Sequence, residues 1–536
     1  MTHAAAGPEA GAAPPGPARG SITVAGWTVV SRGTGLLRIL AVGAVFGPTF
    51  FTNVFQSTNQ VPNLIYEVMA GPVLALVVVP AVVRARAPGS GGDHQRLLEG
   101  LTGLLLAAAG LLAVVVVVAS PLAAWALTAG IGDSAERTRA FWLAVLLLCC
   151  VAPQVPLYAL AYLGAAAQQA RHRFALAAAA PAVENVGLIA VVLLLGRATA
   201  PGVDVGTVPL SLVLLLGIGS TAAVAVHAGL QVVGAARAGT RLRPRRRRDP
   251  ELQVVARRLR GSVRVAALPA LGVFVLLAVA ATSPGGVTVF WLAYSIGAVP
   301  TALGARAVTT AVLPELSRAV DRDEHDAFAV GWRRALGYTT FVSAPAAVVL
   351  VVLAGPIAGV LATGELRTPL VVEQLALCTA VIGVSQIFGG AYEIGRQALF
   401  ARLDVRGARR ATDWGTLLGI AVGLAALLAA PADRPALLCL AVVARDATAT
   451  AVVFARLRGA LRPRALLPRR TLTAVLVATA VAVPVALLAR EGFVAVDPGG
   501  LGAYAVLAAA GLVVVAAFAG VLRGGLALVG RGRPGW

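Results

Sequence analysis

The chain has 536 residues, of which 58% are hydrophobic and 13% charged, with mean hydropathy +0.84 and a formal net charge of +21. Soluble domains carry about a quarter charged residues, so this composition excludes a soluble enzyme and points to a polytopic membrane protein. The positive charge comes from arginine without any lysine. It sits in short loops between apolar runs, which argues against nucleic acid as a partner.

Residues 1–21 are rich in Ala, Pro and Gly, lack an apolar core and read as a disordered cytoplasmic tail. Fourteen apolar segments follow, each near or above the roughly 20 residues a bilayer requires. They lie at 22–46, 57–83, 97–128, 141–168, 174–196, 207–236, 262–282, 287–317, 333–361, 370–401, 411–430, 434–457, 471–489 and 501–528. A β-barrel would instead show short alternating runs, so the expected fold is all-α with fourteen transmembrane helices. Arginines concentrate after every even-numbered segment, from Arg84, Arg86 and Arg96 after the second to Arg523, Arg531 and Arg533 after the last. The intervening loops are poor in arginine or balanced by acid, as at Asp133, Glu136, Arg137 and Arg139. Both termini are therefore expected in the cytoplasm.

The Arg241–Arg248 cluster divides the chain. Residues 22–240 form a first six-segment lobe and 241–261 a basic cytoplasmic linker. Residues 262–460 form a second six-segment lobe, and 461–536 the last two segments with the C-terminus. Segments two and eight occupy equivalent places in the lobes and share a proline spacing that differs by about one helical turn, Pro62 to Pro80 against Pro300 to Pro314. Two parallel repeats with a site at their interface are a transporter plan.

Several polar residues stand where a bilayer disfavours them. Arg32 and Arg38 lie inside the first segment, in Ser31-Arg-Gly-Thr-Gly-Leu-Leu-Arg38. An arginine at mid-bilayer costs at least about 2.5–3.5 kcal/mol, so something anionic or aqueous must face them. Six residues separate them, about 9 Å along a helix and roughly 120° around it, so both can border one broad cavity. Segment two carries Gln56, Asn59, Asn63 and Glu67 on a single helical face, with Tyr66 beside it. Such a stripe faces protein or water. Arg306 lies within segment eight, and its repeat position makes Glu67 its candidate counter-charge. Glu184, Glu393 with Arg396, and Arg445 with Asp446 read as local structural pairs. The four cysteines read as small buried residues. No metal-ligand spacing, phosphate loop or catalytic constellation occurs in the sequence, so no cofactor is expected and the chain reads as a transporter, not an enzyme.

At the level of motifs, Ser31 to Arg38, Phe46-Gly47, Thr52-Asn-Val-Phe55, Pro62-Asn-Leu64 and Val79-Pro80 resemble the amino-terminal signature of the MurJ/MviN lipid II flippases of the MOP exporter superfamily. The likeness continues through Gly164 to Phe174, Pro181 and Asn185, Ala302 to Ser317, and Ala401 to Arg406. The resemblance implies two six-helix lobes in a V around a cationic cavity, with the last two helices receiving an undecaprenyl tail. It also implies alternating access in the bacterial cytoplasmic membrane, with a role in peptidoglycan and cell-wall biogenesis and in cell shape. Arg32, Arg38 and Arg306 would bind the pyrophosphate, which suits the guanidinium fork. Asn53, Gln56, Asn59, Asn63, Tyr66, Glu67 and Ser295 would line the cavity or couple ions. The expected partners are an undecaprenyl-pyrophosphate glycan, membrane lipids and a monovalent ion, with the chain acting as a monomer. The sequence departs from the family pattern at Asn53, where an acid is usual, and at Tyr66 and Ser295, where cavity arginines are usual. These departures leave open another polyprenyl-linked glycan, a small-molecule antiporter or a transport-inactive scaffold for wall synthesis.

A Glu67–Arg306 pair across the lobes predicts that changing both to Ala impairs function less than either single change. Rescue of a flippase-depleted strain measures this, and a double variant worse than both singles contradicts the pairing.

Overall fold

A computed structural model describes residues 17–73, 93–171, 173–199, 202–245, 250–459, 461 and 466–530. It is built of α-helices, with no strand among the described residues. In chain order they are α1 (Pro17–Phe46), α2 (Phe50–Val73), α3 (Asp93–Thr128), α4 (Ser134–Val151), α5 (Gln154–Ala170), α6 (Ala175–Gly196), α7 (Leu210–Arg237) and α8 (Pro250–Ala280). Then come α9 (Gly286–Leu303), α10 (Ala305–Asp321), α11 (His325–Val352), α12 (Ala354–Leu361), α13 (Pro369–Ala401), α14 (Val405–Ala425), α15 (Arg434–Arg458), α16 (Arg469–Val496) and α17 (Gly500–Gly530).

Eleven described stretches are long and apolar enough to cross a membrane. They correspond to every expected segment except two, seven and eight. Two shorter apolar helices, Ala266–Ala280 and Gly286–Thr301, fall in segments seven and eight, and α2 occupies segment two. The set is compatible with fourteen spans. The helices of these three segments are also neighbours, because α2 packs along α8 and against α9.

Among the described residues, three expected segments are broken. Segment four is interrupted at Ala152-Pro153, where the Val155 amide turns back to the Ala152 carbonyl at 3.1 Å. Segment eight breaks at Gly304 (φ −91°, ψ −81°). A Cβ there would come within 2.8 Å of Val342 Cγ1, so the close approach of α11 needs glycine. Segment nine breaks at Leu353. The helix of segment seven also starts earlier than expected. α8 takes Pro250 as its first residue, a favoured position because proline has no N–H to satisfy there. Its Leu252 and Val255 then bury against Leu98, Leu101 and Leu105 of α3 and Leu163 of α5. Part of the expected linker is therefore helix. Likewise Pro17–Ser21, expected in the tail, begin α1; residues 1–16 lie outside the described residues.

In the expected first lobe, α1–α4, α6 and α7 share a core around Phe46, Phe51, Phe55, Leu147 and Leu216. In the expected second lobe the cores lie around Leu277, Phe290 and Leu375 and around Trp332, Leu399 and Val453, while α8 also runs along α2. Helix α1 belongs to both: Val42 and Phe46 enter the first core, while Ile39 and Leu40 enter the second. The helix bearing Arg32 and Arg38 thus lies between the lobes. Helices α16 and α17 pack on each other and on α11, burying Val348, Ala478, Val514 and Phe518 together.

Candidate functional site

The rotation of α1 is set by its contact with α6. Asn185 donates through Nδ2 to the Ser31 carbonyl and the Thr34 hydroxyl, both at 3.2 Å. One turn beyond Thr34, this places Arg38 at Glu184, with Nη1 4.0 Å from Oε1 and the two side chains only 14% and 10% exposed. Arg32, six residues earlier, lies on an exposed part of α1.

Glu184 is the centre of a polar cluster drawn from five helices. Its Oε1 accepts the Tyr158 hydroxyl of α5 at 2.8 Å, and its Oε2 lies 2.6 Å from Nδ1 of His227 on α7. Tyr66 of α2 closes the cluster, its ring centroid 5.4 Å from those of Tyr158 and Tyr162. Close packing of α5 on α7 brings Tyr158 and His227 together: Gln168 Nε2 donates to Gln231 Oε1 at 2.6 Å. A Cβ on Gly164 would meet the Gln231 backbone at 2.6 Å.

The reading of Glu184 as part of a local pair is corrected here, since its partners come from other helices. His227 was not singled out from the sequence, although an ionisable residue in the middle of an apolar helix is itself a signal. The other intramembrane pairs are local. Arg396 donates to both Glu393 oxygens at 2.8 and 2.9 Å. Arg445 donates to Asp446 Oδ1 at 2.9 Å beneath the Tyr294 ring.

The residues of the α2 stripe divide. Asn53 and Gln56, at its start, reach across to the second lobe. Asn53 donates through Nδ2 to the Ser283 carbonyl at 2.7 Å and the Ala281 carbonyl at 3.4 Å, and its Oδ1 accepts the Val287 amide at 3.1 Å. Val287 lies in the first turn of α9, where amides have no partner within the helix. The residue before α9, Gly285 (φ +67°), has no side chain to cap it. Asn53 is therefore a cap supplied by the opposite lobe. A carboxylate could accept from Val287 but would meet the Ser283 carbonyl without a proton, so the amide suits this place where an acid would not. Gln56 adds a bond from Nε2 to the Thr288 hydroxyl at 3.0 Å.

Gly43 of α1 completes this contact. A Cβ there would come within 2.7 Å of Leu366 Cδ1 and 2.9 Å of Thr288 Cγ2. The lobes are thereby shut at the end carrying the turns at 47–49, 281–285 and 362–368. Further along α2, Asn59 is buried with Oδ1 lacking a protein partner, and Asn63 makes a 3.5 Å contact with Gln60. Ser295 is half-buried on α9. The side chains of Glu67 and Arg306 lie outside the described residues, so their expected pairing has no geometry to report. No cluster of metal-ligating side chains occurs among the described residues.

The family model for the lipid II flippase MurJ matches residues 42–498. The chain belongs to the MurJ family. The lipid II flippase MurJ of Burkholderia cenocepacia is 26% identical over 399 residues, covering 72% of this chain and 74% of that protein. A probable lipid II flippase MurJ of Vibrio cholerae is 28% identical over 375 residues, covering 66% and 67%. The fold matches that of a MurJ structure in an inward closed conformation, with TM-score 0.71 at 16% identity over 94% of this chain and 99% of that one. It also matches an inward-facing MATE transporter of the MOP superfamily, with TM-score 0.61 at 11% identity over 82% and 98%. The family match begins after Arg32 and Arg38, so the case for those two rests on their place in α1. All-helical architecture and MurJ family membership agree with the sequence reading.

Loss of the Asn53 cap leaves buried backbone groups unpaired at about 1–3 kcal/mol each. Asn53→Ala should therefore open the closed end, shifting the population roughly tenfold or more. A cysteine at Ala44→Cys, in protein whose native cysteines are replaced, reports this by labelling with a membrane-impermeant maleimide. Labelling should rise about tenfold, and unchanged labelling contradicts a role for Asn53 in closure.

Proposed function

We propose that this chain is a transporter that carries lipid II, or a closely similar polyprenyl-pyrophosphate glycan, across the bacterial cytoplasmic membrane. It is a multi-pass membrane protein of a flippase family, not an enzyme. The observation carrying the site is Arg38: a permanent charge on a helix shared by both lobes, held by one carboxylate at the loose distance of 4.0 Å. Such a charge can exchange its carboxylate for a phosphate, whose geometry the guanidinium fork matches at least as well. Arg32, on the same helix, supplies a second cation. Of the sequence candidates, Arg306, Asn59, Asn63, Tyr66, Glu67 and Ser295 remain proposed lining or coupling residues, while Asn53 and Gln56 are better read as the gate between lobes.

Arginine-rich loops set both termini in the cytoplasm, which makes the closed end the outer one. Rocking of the lobes about α1, α2, α8 and α9 then alternates access. The polyprenyl tail lies along α16 and α17, whose Leu476, Leu488, Leu501 and Leu512 are exposed. A cation antiporter is less well supported, because Glu184 already accepts from Tyr158 and meets His227.

Each guanidinium–phosphate contact contributes about 1.5–3 kcal/mol, so replacing both Arg32 and Arg38 with Gln should weaken substrate binding at least about 100-fold. The double variant, at normal membrane levels, should fail to rescue cells depleted of their lipid II flippase. Full rescue contradicts the assignment.

A further inference from the structure

The proposed binding role of Arg38 does not explain why a histidine is buried against its counter-ion. Glu184 and His227 face each other across α6 and α7, each side chain 10% exposed, at an Oε2–Nδ1 separation of 2.6 Å. That distance requires a shared proton, which places the imidazole N–H on Nδ1 and leaves Nε2 to take up a second. We propose that the Glu184–His227 pair is a proton-binding site: its carboxylate competes with the anionic substrate for Arg38, and a proton on His227 relieves that competition. This inference rests on the reading of Arg38 as a phosphate-binding residue.

The charges decide the sign. With His227 neutral, Glu184 is the counter-ion of Arg38 and the cluster is neutral. With His227 protonated, the carboxylate is matched by an imidazolium at 2.6 Å rather than by a guanidinium at 4.0 Å. The cluster then carries one net positive charge, and Arg38 is released to an anion. Proton uptake therefore strengthens anion binding, and by reciprocity a bound anion strengthens proton binding.

Among the described residues, the other groups facing the pair supply no competing charge; the side chain of Glu67, next to Tyr66 on α2, lies outside them. Helix α5 contributes the Tyr158 hydroxyl, α2 the Tyr66 ring behind it, and α6 the neutral amide of Asn185. The other cations of α1 are Arg32 and, in its first turn, Arg19. Arg171, Arg173, Arg197 and Arg237 stand at or beyond the ends of α5, α6 and α7.

The test is the pH dependence of undecaprenyl pyrophosphate binding to the purified full-length protein between about pH 5.5 and 8. The ligand gains negative charge as pH rises, an effect common to every variant, so the protein's contribution is the difference between variants. Relative to His227→Gln, the wild type should tighten as pH falls, by up to about tenfold per pH unit for a single proton. Glu184→Gln, which removes the competing carboxylate, should bind tightly and share the slope of His227→Gln. Should His227→Gln fail to fold, Glu184→Gln alone makes the comparison. Equal slopes in the wild type and either variant overturn the proposal. Arg38→Gln should bind weakly at every pH, and wild-type affinity in that variant overturns the underlying phosphate reading instead.

Discussion

A guanidinium keeps its charge in a bilayer, so Arg38 must be answered by an anion at every stage of the protein's cycle. In this structure the answer is Glu184, and much of the first lobe follows from that contact. Asn185 sets the rotation of α1 that delivers Arg38. The close approach of α5 and α7 delivers Tyr158 and His227 to the same carboxylate. A residue with three partners at once is held in place, yet its contact with the guanidinium is the loosest of the three. That ranking leaves Arg38 as the group most readily transferred to another anion.

The second constraint is at the lobe interface. A helix beginning with an uncapped glycine leaves buried amides unpaired, and α9 is capped only because Asn53 reaches across from α2. The cap exists only while this end is shut. Opening it returns the Val287 amide to water or leaves it unpaired, which gives the two arrangements of the lobes a definite energetic difference. Helix α1 joins the two constraints, since it bears Arg38 between the lobes and contributes core residues to each. A change in what Arg38 holds can therefore be felt where the lobes meet.

Much of this was legible in the sequence. Long apolar runs and the alternation of arginine-rich loops located the helices, because the bilayer imposes both. Arg32 and Arg38 stood out because nothing in lipid compensates them. The breaks at Ala152-Pro153, Gly304 and Leu353 were not legible, since proline and glycine are common within membrane helices and only the neighbours decide which one interrupts. Asn53 was read as a cavity-lining residue because its partners are backbone groups more than 200 positions away, and backbone leaves no mark in side-chain pattern. His227 has no metal-ligand spacing around it, and its signal in the sequence is its place among apolar residues. Glu184 reads as a local pair in the sequence, because periodicity along one helix says nothing about which helix lies opposite.

The most direct measurement is a cryo-electron microscopy structure of the protein bound to undecaprenyl pyrophosphate. The account predicts phosphate oxygens at about 2.7–3.2 Å from the Arg38 guanidinium, with Glu184 retaining His227 and Tyr158 but drawn away from Arg38. Pyrophosphate density elsewhere, with the Arg38–Glu184 contact unchanged, would contradict it.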